Sequence, residues 1–135
     1  MWSWTCMKTA LINALAVGFG GFFGALARYG LSLLIHRQLP AATFPYGTLV
    51  VNLLGCLLIG LIAGFTESRQ LFGYPFRAFV VIGLLGGFTT FSTFAHETFV
   101  MVRSTEYLRA ATNVCTQVIL SLIFVWAGYA LATSR

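Results

Sequence analysis

Four apolar stretches, at about residues 11–35, 46–65, 78–102 and 111–132, leave this chain little choice of fold. Each is long enough to cross the roughly 30 Å hydrocarbon layer of a bilayer as a helix. A helix satisfies its own backbone groups, which lipid cannot do. Of the 135 residues, 59% are hydrophobic and only 8% are charged. Nothing remains for a soluble domain, so residues 1–135 read as one all-α, four-helix membrane domain with short loops. The first stretch is too long for a cleaved leader and resumes after Arg28-Tyr29, so it reads as a retained helix. So small a chain encloses no large cavity, and a path for an ion or substrate forms most easily between subunits.

The formal charge is +5, but the cations are scattered and form no basic cluster. That pattern fits membrane-flanking anchors against lipid and gives no support to nucleic acid as a partner. Four spans put Lys8, Arg69, Arg77 and Arg135 on one side of the membrane. Arg37, Arg103 and Arg109 fall on the other, with Arg28 near the end of the first span. An orientation rule based on positive charge has almost no asymmetry to act on. The expectation is a chain that inserts both ways and pairs with an inverted copy of itself. Three GxxxG spacings, Gly20-Gly24, Gly60-Gly64 and Gly83-Gly87, offer smooth surfaces for close packing, within one chain or between two. The three cysteines have neither disulfide nor metal-ligand spacing.

The third stretch carries a polar, aromatic interruption, Gly86-Gly87-Phe88-Thr89-Thr90-Phe91-Ser92-Thr93-Phe94. Paired glycines and four hydroxyls weaken a helix, so a break mid-membrane, around Gly86 to Thr89, is expected. Such a break survives only where protein or a water-filled path covers it. Phe88, Phe91 and Phe94 recur every third residue and share a face. Their ring edges are electropositive and, with hydroxyl donors beside them, suit a small hard anion. Exposed carbonyls at the break suit a cation instead.

Other polar residues are thinly spread. Asn52 lies deep in the second stretch and either bonds a neighbouring helix or offers its amide to an anion. Arg28 either snorkels to headgroups or forms a positive vestibule. Glu97 is the only acid clearly associated with a span. Asn113, Gln117 and Ser121 lie four apart and line one face of the last stretch. No paired carboxylates, nucleophile triad, metal-ligand set or phosphate loop is present, so no enzyme is indicated. A proton-coupled exporter of four helices would need a buried acid, usually in its first span. This chain has no Asp, and its first acid is Glu67.

Three ordered motifs, GGFFGALARY (20–29), GTLVVNLLG (47–55) and GGFTTFSTFAHE (86–97), resemble those of the CrcB/Fluc family of small fluoride channels. The resemblance implies a dual-topology antiparallel homodimer in the bacterial inner membrane, with two fluoride pores and passive fluoride efflux. It implies that Phe91, Phe94 and Asn52 line the fluoride path and that Ser92 and Thr93 add hydroxyls. Backbone carbonyls of Gly86 and Thr89 would hold a structural, non-transported Na+ at the dimer axis. Arg28 and Glu97 would stand near the pore mouths. The chain departs from the family in the fourth span, where Gln117 stands for a Ser. Thr116 or Ser121 could take over that part.

Overall fold

The computed structural model describes residues 4–40, 43–69 and 74–134. Arg135, counted above among the flanking cations, lies outside them. Helix α1 (Trp4–Gln38) and helix α2 (Tyr46–Arg69) form the first two spans. The third is assembled from α3 (Tyr74–Arg77), a π-helical segment (Ala78–Leu85), α4 (Gly86–Phe88) and α5 (Phe91–Arg103). Helix α6 (Tyr107–Thr133) is the fourth. Four stretches are long and apolar enough to cross a membrane: Cys6–Gln38, Tyr46–Glu67, Pro75–Arg103 and Tyr107–Thr133. The helices overrun the apolar stretches because backbone hydrogen bonding continues past the point where lipid demands apolar side chains.

The break falls later than the glycines suggested. Gly86 and Gly87 are still helical, and the chain becomes extended at Thr89 (φ −79°, ψ 159°) and Thr90 (φ −151°, ψ 112°). Packing is the reason. The third span lies against α1 so closely that a side chain at Gly87 would strike the backbone of Gly21. Small residues that let backbones pack closely favour such approaches in lipid, where hydrophobicity no longer drives association. Gly87 therefore serves helix contact rather than helix rupture. The π-helical turns just before the two glycines, with Gly86 N–H donating to Val81 O, were not foreseen from sequence.

All three GxxxG pairs pack within the chain. Gly20 and Gly24 meet the third span, whose Gly83 and Gly87 meet α1 in return, while Gly60 and Gly64 meet α6. The molecule is thus two close helix pairs, α1 with the first half of the third span and α2 with α6. Helix α5 leaves the first pair at the break and leans on α2 and α6. Large apolar side chains such as Phe22, Phe23, Leu122 and Trp126 point outward, as lipid-facing or subunit-facing residues must.

Candidate functional site

The break is held from α2 by one side chain. Asn52 Oδ1 accepts from Thr90 N–H at 2.9 Å. Asn52 Nδ2 donates to Thr90 O at 3.1 Å and to Gln117 Oε1 at 3.1 Å. One amide thus ties the extended segment to α2 and α6 together. Both acceptor and donor ends are used, as burial requires of polar groups.

The hydroxyls complete the break. Thr89 Oγ1 and Thr89 N–H both donate to Leu85 O, at 3.0 Å and 2.9 Å, closing the first half of the span. Thr90 Oγ1 caps α5 by accepting from Thr93 N–H at 3.2 Å, and its own proton goes to Thr93 Oγ1 at 2.9 Å. This is ordinary N-capping chemistry in an unusual place. It has a consequence for two carbonyls. In a continuous α-helix, Gly86 O would accept from Thr90 N–H and Thr89 O from Thr93 N–H. Here the first donor is given to Asn52 and the second to the Thr90 hydroxyl. Gly86 O and Thr89 O are therefore released as hard oxygen ligands, the class that suits an alkali cation.

Two clefts border the break, and a third lies beyond them. The largest, about 470 Å³, is lined by Asn52, Thr89, Thr90, Phe91, Phe94 and Gln117, among others. Phe91 and Phe94 stack edge to face there, with centroids 5.4 Å apart and planes at 67°. Phe94 is 8% exposed and Phe91 78% exposed, so one ring is fixed in the protein and the other faces outward. Ser121 lines this cleft too, one turn beyond Gln117. Thr116 does not take over: its hydroxyl bonds back to Thr112 O and Asn113 O.

A second cleft, about 290 Å³, joins Arg28 to Thr48, Thr90 and Thr93. Arg28 is thus beside the break, and α1 runs on past it to Gln38. The same cleft sets Arg28 beside the hydroxyl-bearing Thr90 and Thr93. Ser92 is exposed, with Oγ 3.4 Å from Thr90 Oγ1. A third cleft, about 390 Å³, contains Glu97, His96, His36 and Thr48. Thr48 donates to Glu97 Oε1 at 2.6 Å. Thr90 lines both of the first two clefts and Thr48 both of the last two, so these residues stand between neighbouring clefts.

Sequence reasoning found Asn52, the phenylalanines and the hydroxyls, and the structure brings Asn52, Phe91 and Phe94 into one cleft. It missed Thr48, although Thr48 and Asn52 are four apart on α2 and share a face. It also missed the pairing of Asn113 with α5: Asn113, wholly buried, donates to Thr98 Oγ1 at 2.9 Å. No group of three metal-ligating side chains occurs among the described residues.

Comparison with known proteins gives the family. Residues 15–129 match the family model described as CrcB-like protein, Camphor Resistance (CrcB). The chain is 44% identical over 116 residues to the fluoride-specific ion channel FluC of Geotalea daltonii, covering 86% of this chain and 93% of that one. It is 43% identical over 112 residues to the FluC of Nitratidesulfovibrio vulgaris, covering 83% and 90%. It is 41% identical over 122 residues to the FluC of Clostridium perfringens, covering 90% and 94%. These relatives are named as ion channels and not as enzymes, and four apolar helices make this chain a multi-pass membrane protein. The match enters all four spans and contains the whole break, so the chain belongs to the CrcB-like family.

Proposed function

We propose that this protein is a fluoride-selective channel of the bacterial inner membrane, through which fluoride leaves the cell down its gradient. The observation that carries the reading is the cleft at the helix break. There an electropositive ring edge, a set of hydroxyls and a clamped amide meet in one place. The names of the relatives point to the same ion.

Fluoride is small and holds its water tightly, so a path must replace that water with strong donors. Hydroxyls of Ser92 and Thr93, the Phe91 and Phe94 ring edges, and the amide region of Asn52 supply the walls of such a path. Chloride is larger and gains less from each contact, so a narrow path compensates it poorly. Several moderate sites let an ion both enter and leave. Arg28 would draw anions toward the break, and Glu97 would stand at the opposite mouth.

The functional unit in this reading is an antiparallel homodimer, consistent with the near-even division of cations between the two sides. The exposed face of Phe91 then becomes an inner face. A structural Na+ fits the released carbonyls of Gly86 and Thr89. Each chain offers two such oxygens, and two chains complete a small shell. Sodium would offset repulsion among carbonyls at the axis and tie the two breaks together.

The deciding experiment is efflux from liposomes holding the purified protein, followed with a fluoride electrode and against chloride. Rapid fluoride loss without chloride loss is expected. No fluoride loss in sodium-containing buffer, from folded protein inserted in both orientations, would overturn the reading.

A further inference from the structure

We infer that Gln117, rather than Asn52, presents the free amide donor to fluoride in the main cleft, and that Asn52 acts by aiming it. This rests on the channel reading above.

The backbone groups of Thr90 have fixed chemistry. Its N–H can only donate and its carbonyl can only accept. Asn52 faces both, at 2.9 Å and 3.1 Å. Its Oδ1 must therefore point to the N–H and its Nδ2 to the carbonyl. Amide orientation is normally a matter of assignment; here the backbone dictates it. The remaining Nδ2 proton then points to Gln117 at 3.1 Å, so the Gln117 atom facing it must be the acceptor Oε1. Reversing Gln117 would set donor against donor. Gln117 Nε2 is consequently turned away from Asn52.

That Nε2 is buried and has no hydrogen-bond partner, in a side chain only 5% exposed that lines the main cleft. A buried donor left unmade is costly, and an anion satisfies it better than any neutral acceptor. By contrast, Asn52 has both amide protons and its oxygen engaged, leaving it no donor to offer. The other buried unpartnered atoms in this region, Asn113 Oδ1 and Glu97 Oε2, are acceptors and cannot serve an anion. Gln117 lines the cleft, while its Nε2 is closed off from solvent. The contact forms as a dehydrated ion, no larger than a water molecule, pushes a wall side chain aside. The residue that departs from the family pattern thereby becomes the donor particular to this chain.

Two variants separate this role from simple support. Gln117→Glu keeps an oxygen for Asn52 to donate to and so keeps the clamp, but replaces the donor with an acceptor. Gln117→Met removes the donor without adding charge. Initial fluoride efflux is measured over a range of internal fluoride in liposomes, with melting temperature and elution volume as checks on folding. Both variants are expected to be at least about tenfold slower per folded channel, the scale of one lost hydrogen bond to a charged group. The Gln117→Met variant should also need more fluoride to half-saturate. Taking Gln117→Glu from about pH 7.5 to about pH 5.5 should restore flux relative to wild type, because a buried carboxyl protonates readily and regains a donor. Unchanged efflux per folded Gln117→Glu channel would overturn the assignment while leaving the channel reading intact, even if Gln117→Met fails to fold. No flux through the wild type would overturn both.

Discussion

Asn52 bonds Thr90 as a neighbouring β-strand would, accepting from its N–H at 2.9 Å and donating to its carbonyl at 3.1 Å. A side-chain amide has the donor and acceptor of a peptide group, so it can replace the helix bonds that the break gives up. Lipid offers nothing else to do so.

Replacing Asn52 should accordingly damage the fold as well as the flux. Asn52→Leu leaves Thr90 N–H without a partner, at about 1–3 kcal/mol for a buried group, and strips Thr90 O of its second donor. Asn52→Asp keeps the acceptor for Thr90 N–H but turns a carboxylate oxygen toward Thr90 O and Gln117 Oε1. Thermal unfolding in detergent should show both variants destabilised, and fluoride efflux should be suppressed in Asn52→Asp. Wild-type melting in both would mean that the break is held by something other than this amide.

The glycines of α1 divide into those that touch the third span and those that do not. A Cβ at Gly24 would collide with Leu84 O and lie 2.8 Å from Phe88 N, both backbone atoms that cannot step aside. Gly18 and Gly30 have nothing within 4 Å of that position. Gly24→Ala should therefore separate α1 from the third span and reduce the yield of folded protein sharply. Gly18→Ala should be neutral, or stabilising by up to ~1 kcal/mol through helix propensity. Melting temperatures of the pair, compared in one detergent, check this directly.

This contrast also shows what could be read from the chain alone. The four spans were legible because long apolar runs in a bilayer admit almost no structure but helix. The existence of a break was legible from hydroxyls and glycines where lipid calls for Leu and Val. Its position was not. Local propensity pointed to Gly86 to Thr89, but close contact of Gly87 with Gly21 goes with a helix that runs on to Phe88, and Asn52 and the Thr90 cap set the rupture at Thr89 and Thr90. The nearness of Arg28 to the break was not legible either, because it depends on how α1 lies along the third span, which no local pattern records. Thr48 and Glu97, 49 residues apart, meet only through that same packing.

Phe91 and Phe94 should answer differently to the same substitution. Phe94 is buried at 8% exposure while Phe91 is open at 78%. Phe94→Ile alters a packed ring and is expected to cost about 1–3 kcal/mol, the usual range for a change of shape in a core. Phe91→Ile should leave the melting of a monomer in detergent close to wild type. Both remove an electropositive edge from the cleft, so both should slow fluoride efflux. Unaltered efflux in Phe94→Ile protein would take that ring out of the path.

Thr90→Val tests the link between the helix cap and the cation. With the hydroxyl gone, Thr93 N–H loses its acceptor at 3.2 Å, and α5 loses about 1 kcal/mol of capping. The donor is then free to return to Thr89 O, the partner it would have in a continuous helix. That bond would compete with sodium for one of the two released carbonyls. Efflux through Thr90→Val channels should need a higher sodium concentration than wild type when sodium is replaced by a bulky organic cation. Thr90→Ser keeps the hydroxyl and should behave as wild type. Equal sodium dependence in all three proteins would show that the cap does not govern the carbonyls, whatever its part in stability.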